Sequence, residues 1–122
     1  MKRCLIVDDS SVIRMVAKRI LAGPEMLVAE AATAREAIEI CLNEMPEIII
    51  VDHLLPDMDS CELIGTLMKI EADVRPQILL CICELDVGLI MRAKRQGARG
   101  YLMKPFTRSQ LLESFRELQL IA

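Results

Sequence analysis

The sequence predicts an α/β domain whose parallel sheet is covered by helices on both faces. Three observations carry that expectation. Short apolar runs alternate with helical patterns five times along the chain. The central run, Ile48-Ile49-Ile50-Val51, is β-branched and continuously apolar, as a strand covered on both faces must be. Capping or breaking residues punctuate the helical patterns, so the alternation has a local physical cause.

Cys4-Leu5-Ile6-Val7 reads as the first strand, stopping at Asp8. Val12, Val16 and Ile20, with Ile13, Ala17 and Leu21 beside them, then recur at helical spacing until Gly23-Pro24. Leu27-Val28-Ala29 is the second short run. Thr33 and Glu36 have capping-box spacing ahead of Ala34, Ala37, Ile38, Cys41, Leu42 and Met45, which share a helix face, and Pro46 stops that helix. An acidic, proline-containing loop follows the central strand and leads to Leu63, Ile64, Leu67 and Met68, a third helix. Ile78 to Cys83 is the fourth apolar run. Asp86 can cap the next helix and Gly97 can close it. Gly100-Tyr101-Leu102-Met103 is the fifth strand, and Thr107 with Gln110 repeats the capping-box spacing before Leu111, Leu112, Phe115 and Leu118.

Five strand–helix pairs in succession imply right-handed crossovers, which bring every strand's C-terminal end to one edge of the sheet. Ligands of open sheets bind at that edge, where the strand order reverses. The 122 residues suit one domain, 1–122, with no output domain attached. Hydrophobic residues make up 53% and aromatics only 2%, so aliphatic side chains and methionine must fill the core. A net charge of −3 argues against a dedicated nucleic-acid binder. No apolar run approaches the roughly 18 residues that span a bilayer. The first apolar stretch is cut by Asp8 and Asp9, too early for a signal peptide, so a cytoplasmic protein is expected. Cys4, Cys41, Cys61, Cys81 and Cys83 are an odd set and read as reduced thiols. Cys81 and Cys83, with one histidine in the chain, read as buried small hydrophobes rather than a zinc site.

Four polar residues stand where apolar strands end: Asp8 and Asp9 after the first, Asp52 after the third and Lys104 after the fifth. Gathered carboxylates repel unless cations compensate. A hard divalent ion such as Mg²⁺ suits them because it takes carboxylate and carbonyl oxygens. A metal and a lysine around one carboxylate meet the needs of phosphoryl transfer to it, since that chemistry is mostly positioning and electrostatics. Asp52 is then the nucleophile and Lys104 the supporting charge. Each residue has a plainer reading. Asp8-Asp9-Ser10-Ser11 can cap the first helix, Asp52 can be an ordinary loop acid, and Lys104-Pro105 can be only a turn. Coincidence of all four at one edge favours the chemical reading.

On these residues the sequence resembles the receiver domains of bacterial response regulators, and most closely the single-domain, chemotaxis-like kind. Leu5-Ile6-Val7-Asp8-Asp9-Ser10 is similar to the family's first strand and acidic pair. Ile50-Val51-Asp52-His53-Leu54-Leu55-Pro56-Asp57-Met58-Asp59 is similar to its phosphoacceptor strand and loop. Gly97 through Phe106 resembles its last strand and Lys-Pro turn. The resemblance implies a (βα)5 flavodoxin-like doubly wound sheet of strand order 2-1-3-4-5. It implies phosphorylation of Asp52 from a phosphohistidine, with Mg²⁺ held by Asp8, Asp9, Asp52 and the backbone carbonyl of Leu54. It makes Lys104 the family's site lysine, the Lys104–Pro105 peptide one that is usually cis, and Tyr101 the aromatic that changes rotamer on activation. The protein is then a phosphoacceptor that assists transfer to its own aspartate, and not an enzyme acting on a separate substrate.

The chain departs from the family in three places. A Ser or Thr hydroxyl normally ends the fourth strand and bonds the phosphoryl group; family spacing from Asp52 and Lys104 puts Ile82 there, a one-residue slip would put Cys81 or Cys83 there, and none of the three carries a hydroxyl. Ser60 stands where the family usually has Gly, which tolerates positive φ better, so a different loop shape is expected. His53, beside Asp52, is read as a core histidine, with an exposed contact as the alternative. The missing hydroxyl implies phosphorylation with weakened or altered coupling to Tyr101. Leu54 and Glu84 flank the expected water approach and should influence phosphoryl lifetime.

The expected partners are a histidine kinase or histidine phosphotransferase and an unnamed downstream protein, with the chain a monomer or weak dimer. The family's output face would include Arg92, Lys94, Arg95, Arg99, Tyr101 and Arg108, a basic cluster on an acidic chain that reads either as a solvated helix face, the commoner case, or as a docking surface for an acidic partner. A degenerate receiver acting only as an interaction module is the alternative. A haloacid-dehalogenase-type phosphatase is set aside because its second acid would fall at Leu54. A flavin carrier is set aside because the chain has no Gly-rich phosphate loop and few aromatics.

Overall fold

The computed structural model describes residues 1–121; Ala122, the last residue of the expected domain, lies outside them. The elements run β1 (Lys2–Val7), α1 (Ser11–Leu21), β2 (Met26–Ala31), α2 (Ala34–Asn43), β3 (Ile48–Asp52), α3 (Ser60–Met68), β4 (Gln77–Ile82), α4 (Val87–Gln96), β5 (Gly100–Met103) and α5 (Arg108–Glu117). All strands pair in parallel, in the order β2-β1-β3-β4-β5. The expected strand order therefore holds, and its reversal falls between β1 and β3.

Strand alternation sends side chains to two separate cores. Leu5, Val7, Ile49, Val51, Ile78, Leu80 and Ile82 pack with residues of α2, α3 and α4. Cys4, Ile6, Ile48, Ile50, Leu79 and Cys81 pack with α1 and α5, around the fully buried Phe115. Burying each large aliphatic side chain stabilises the fold by about 1.5–3 kcal/mol before its ordering cost. β3 is buried along its whole length, which is why its sequence shows no polar alternation.

The helix ends follow from their capping residues. Ser10, Thr33, Asp59, Asp86 and Thr107 each accept a backbone N–H two or three residues into the helix that follows. Thr107 and Gln110 complete a capping box. Thr33 accepts from Glu36 N, but the Glu36 carboxylate takes Ala32 N–H instead, so that second box closes one residue upstream. Gly97 ends α4 at φ 118°, a left-handed conformation that costs a side-chain-bearing residue about 1–2 kcal/mol.

The helical stripe of α1 is phased differently from the expectation. Ala17 and Leu21 are buried with Ile13 and Ile20 partly so, whereas Val12, Met15 and Val16 are exposed. The exposed stripe is as apolar as the buried one, so periodicity alone did not choose between them. Leu42 of α2 likewise faces solvent.

Candidate functional site

β1 and β3 are neighbours with Val7 opposite Val51, so Asp8 and Asp52 leave the sheet side by side. Both are buried, at 2% and 3% exposure, while Asp9 is exposed. One carboxylate oxygen from each of Asp8, Asp9 and Asp52 lies within 4.8 Å of the others. Lys104 enters from the end of β5, where its backbone N–H donates to the Ile82 carbonyl at 2.9 Å. Its Nζ lies 2.6 Å from Asp52 Oδ1 and donates to Asp8 Oδ2 at 3.0 Å. The peptide to Pro105 is cis.

Burial disfavours the Lys104 ammonium, but the hydrogen bonds it donates to Asp52 and Asp8 and the charges of those carboxylates outweigh it, and its pKa is raised. One ammonium still faces three carboxylates, two of them shielded from water. Clustered carboxylate oxygens of this kind are the donor set a small hard divalent cation takes, so Mg²⁺ fits these residues.

The plain and the chemical readings of Asp8 are both satisfied, on different atoms. Its Oδ1 accepts the Ser10 N–H at 2.9 Å and shapes the turn into α1, leaving Oδ2 for Lys104. Two residues that the sequence did not single out brace the surrounding loops. Arg14 Nη1 donates to the Asp8 carbonyl at 2.7 Å, and its Nε pairs with Glu30 at 3.1 Å. Asp57, in the loop after β3, accepts the Ala34 and Arg35 N–H groups at 2.9 and 3.0 Å, tying that loop to the N-terminus of α2. Those two backbone bonds, the largest influence, hold its carboxyl below the ordinary range. The Arg14–Glu30 and Asp57–α2 contacts have no local sequence signal, because each joins segments 16 or more residues apart.

Leu54 stands two residues past Asp52 with its side chain exposed. Ile82 ends β4, paired with Met103 and 1% exposed, so the expected position carries an aliphatic side chain in the core and no hydroxyl. Ser60 needs no positive φ: it is the first residue of α3, entered from Asp59 at φ −61°. The expected change of loop shape at Ser60 is thus not required, although its buried Oγ has no hydrogen-bond partner among the described residues. His53 is neither a core histidine nor freely exposed. β3 ends at Asp52, and the His53 ring lies at the rim of the sheet, 18% exposed, with Nδ1 3.2 Å from the Cys81 carbonyl and 3.5 Å from Asp52 Oδ1. Among the cysteines, Cys4, Cys41, Cys61 and Cys81 are buried as expected, but Cys83 is exposed, because it follows the last residue of β4.

Tyr101 is half-exposed on β5. Arg92, Lys94, Arg95, Arg99 and Arg108 are all exposed. Lys94 and Arg99 line the groove beside Tyr101. Arg92 and Arg95 line a second groove, shared with Asp59 and Glu62 of the α3 end. No helix of the described residues is long and apolar enough to cross a membrane.

A family model described as the response regulator receiver domain matches residues 4–116. The chain belongs to that family. The chemotaxis protein CheY of Thermotoga maritima is 33% identical over 119 residues, 96% of this chain and 97% of its own. Sporulation initiation phosphotransferase F of Bacillus subtilis is 27% identical and is matched over 95% of this chain and 92% of its own. The crystal structure of Vibrio cholerae CheY4 superposes with a TM-score of 0.87 at 30% identity, covering 96% and 98% of the two chains. This receiver of the two-component kind thus has the fold of its CheY relatives, and its acidic pocket of Asp8, Asp9 and Asp52 fits a phosphoacceptor.

Proposed function

We propose that this receiver takes a phosphoryl group from a phosphorylated histidine onto Asp52 and signals through protein contacts. The observation that carries the reading is the single cluster formed by the Asp8, Asp9 and Asp52 carboxylates and the Lys104 ammonium at the sheet's topological switch point. A carboxylate oxygen of Asp52 attacks phosphorus, and an O–P bond forms as the donor's N–P bond breaks. The imidazole nitrogen leaves with the electron pair, and Asp52 ends as an acyl phosphate. Lys104 stays protonated and offers its charge to the phosphoryl oxygens. Asp8, Asp9, Asp52 and the Leu54 backbone carbonyl would hold Mg²⁺. When bound, that ion supplies positive charge against the negative charge spread over the phosphoryl oxygens.

The chain itself assists this transfer and turns over no separate substrate. Its partners are a histidine kinase or histidine phosphotransferase in the cytoplasm and a downstream protein. The groove beside Tyr101, with Lys94 and Arg99 on its wall, suits an acidic segment of that protein. A second reading, a receiver that acts without phosphorylation, is favoured by Ile82, which gives the phosphoryl group no hydroxyl.

Transfer from a phosphohistidine donor carrying labelled phosphate separates the two. The proposal expects label on this chain that is released by hydroxylamine, as an acyl phosphate is. Persistent failure of label to leave the donor would favour the interaction-only reading.

A further inference from the structure

The side chain of Ile82 leaves the family's phosphoryl contact from β4 unfilled, yet β4 is not disconnected from Asp52. His53 makes the connection. The Cys81 carbonyl accepts two hydrogen bonds from this one residue, from its backbone N–H at 3.0 Å and from ring Nδ1 at 3.2 Å. The same Nδ1 lies 3.5 Å from Asp52 Oδ1.

A backbone carbonyl oxygen only accepts, so the bond to Cys81 requires the hydrogen on Nδ1. The Nδ1–H is therefore held by the Cys81 carbonyl, with Asp52 Oδ1 3.5 Å from the same nitrogen. Among the described residues, His53 and Lys104 are the two whose basic side-chain nitrogens come within 4.0 Å of the Asp52 carboxylate. Lys104 is also committed to Asp8, whereas the ring's other neighbour is a carbonyl that keeps a backbone donor if the ring turns away. Exchange of the Nδ1–H from that carbonyl to a stronger acceptor thus strands no buried polar group.

We propose that His53 contacts the phosphoryl group on Asp52, its Nδ1–H passing from the Cys81 carbonyl to a phosphoryl oxygen. This rests on phosphorylation of Asp52, as proposed above. The contact takes the place of the absent hydroxyl and works differently. A hydroxyl on β4 would draw its own strand toward the phosphate. Here the donor sits on the phosphoacceptor side, and β4 senses the event by losing a hydrogen bond at Cys81, next to Ile82.

The test uses the full chain with Mg²⁺ and beryllofluoride, an acyl-phosphate mimic, read by amide NMR at Cys81, Ile82 and Cys83. Native protein is compared with His53→Phe, His53→Asn and His53→Gln. Asn places an amide N–H where Nδ1 stands, and Gln places one where Nε2 stands. Native protein and His53→Asn should show the β4 amide shifts. The Phe and Gln variants should lose them and bind beryllofluoride about tenfold more weakly, the scale of one hydrogen bond to a charged group. Adding Ile82→Thr to His53→Phe should restore binding. Native-like shifts and affinity in both His53→Phe and His53→Gln would overturn the inference, and having two variants guards against one that misfolds. Failure of the native chain to bind the mimic, and of acetyl phosphate to add mass, would instead overturn the reading of Asp52 and this inference with it.

Discussion

Lys104 Nζ lies 2.6 Å from Asp52 Oδ1, and the same nitrogen reaches Asp8 Oδ2 at 3.0 Å. One ammonium therefore ties together the C-terminal ends of β1, β3 and β5, strands that are not all neighbours in the sheet. The pairing has a thermodynamic signature. The Lys104 pKa is raised above the ordinary value of 10.5 by its two carboxylate partners, against the opposing effect of burial. A folded-state pKa raised above the unfolded one gives stabilisation that is full below 10.5 and is lost as pH rises through the higher folded value. Urea unfolding of native protein and Lys104→Met should thus differ by a constant amount around neutrality, and the difference should shrink only in strong alkali.

Asp9 is the exposed member of the carboxylate cluster, whereas Asp8 also shapes the turn into α1. Asp9→Asn should leave unfolding without metal unchanged within about 0.5 kcal/mol, as for most surface substitutions. Its Mg²⁺ affinity, measured by calorimetry, should fall by about tenfold or more, equivalent to about 1.4 kcal/mol. Asp8→Asn should lower both affinity and stability.

Asp57 fastens the loop after β3 to the first turn of α2. Its pKa is lowered from 3.8, chiefly by the Ala34 and Arg35 N–H groups. A lowered folded-state pKa gives stabilisation that is full above 3.8 and is lost as pH falls through the lower folded value. Asp57→Ala should therefore destabilise the protein near neutrality and converge with native protein in strong acid. Urea titrations at the two extremes decide the point.

The cysteines should divide by reactivity. Burial pushes the Cys4 thiol up to about 12, Cys41 up to about 11 and Cys81 up to about 12, so little thiolate forms near neutrality. Cys83 is exposed. One equivalent of a thiol reagent should be consumed quickly by folded protein, and Cys83→Ser should abolish that phase. In urea all five thiols should react.

What the sequence makes legible is what its local physics controls. β3 reads as a strand because burial on both faces removes any polar alternation. Gly97 and Asp86 read as α4 boundaries because capping acts within one turn. Asp8, Asp9, Asp52 and Lys104 read as a site because parallel crossovers bring strand ends together. The rest depends on contacts between distant segments. Nothing local says that Asp57 meets α2 across 23 residues. Nothing local says that His53 bonds the Cys81 carbonyl across 28. The phase of α1 was ambiguous because Val12 and Val16 are as apolar as Ala17 and Leu21, and only packing selects the buried stripe. Cys83 continues an apolar run in sequence but lies beyond the sheet in space.

The most direct measurement is intact mass after incubation with Mg²⁺ and acetyl phosphate, with Asp52→Ala and an EDTA-treated sample alongside. The expected result is a single added phosphoryl group on native protein, absent from both controls. An equal adduct on Asp52→Ala, or no adduct on native protein from either acetyl phosphate or a phosphohistidine donor, would contradict the assignment of Asp52 as the phosphoacceptor.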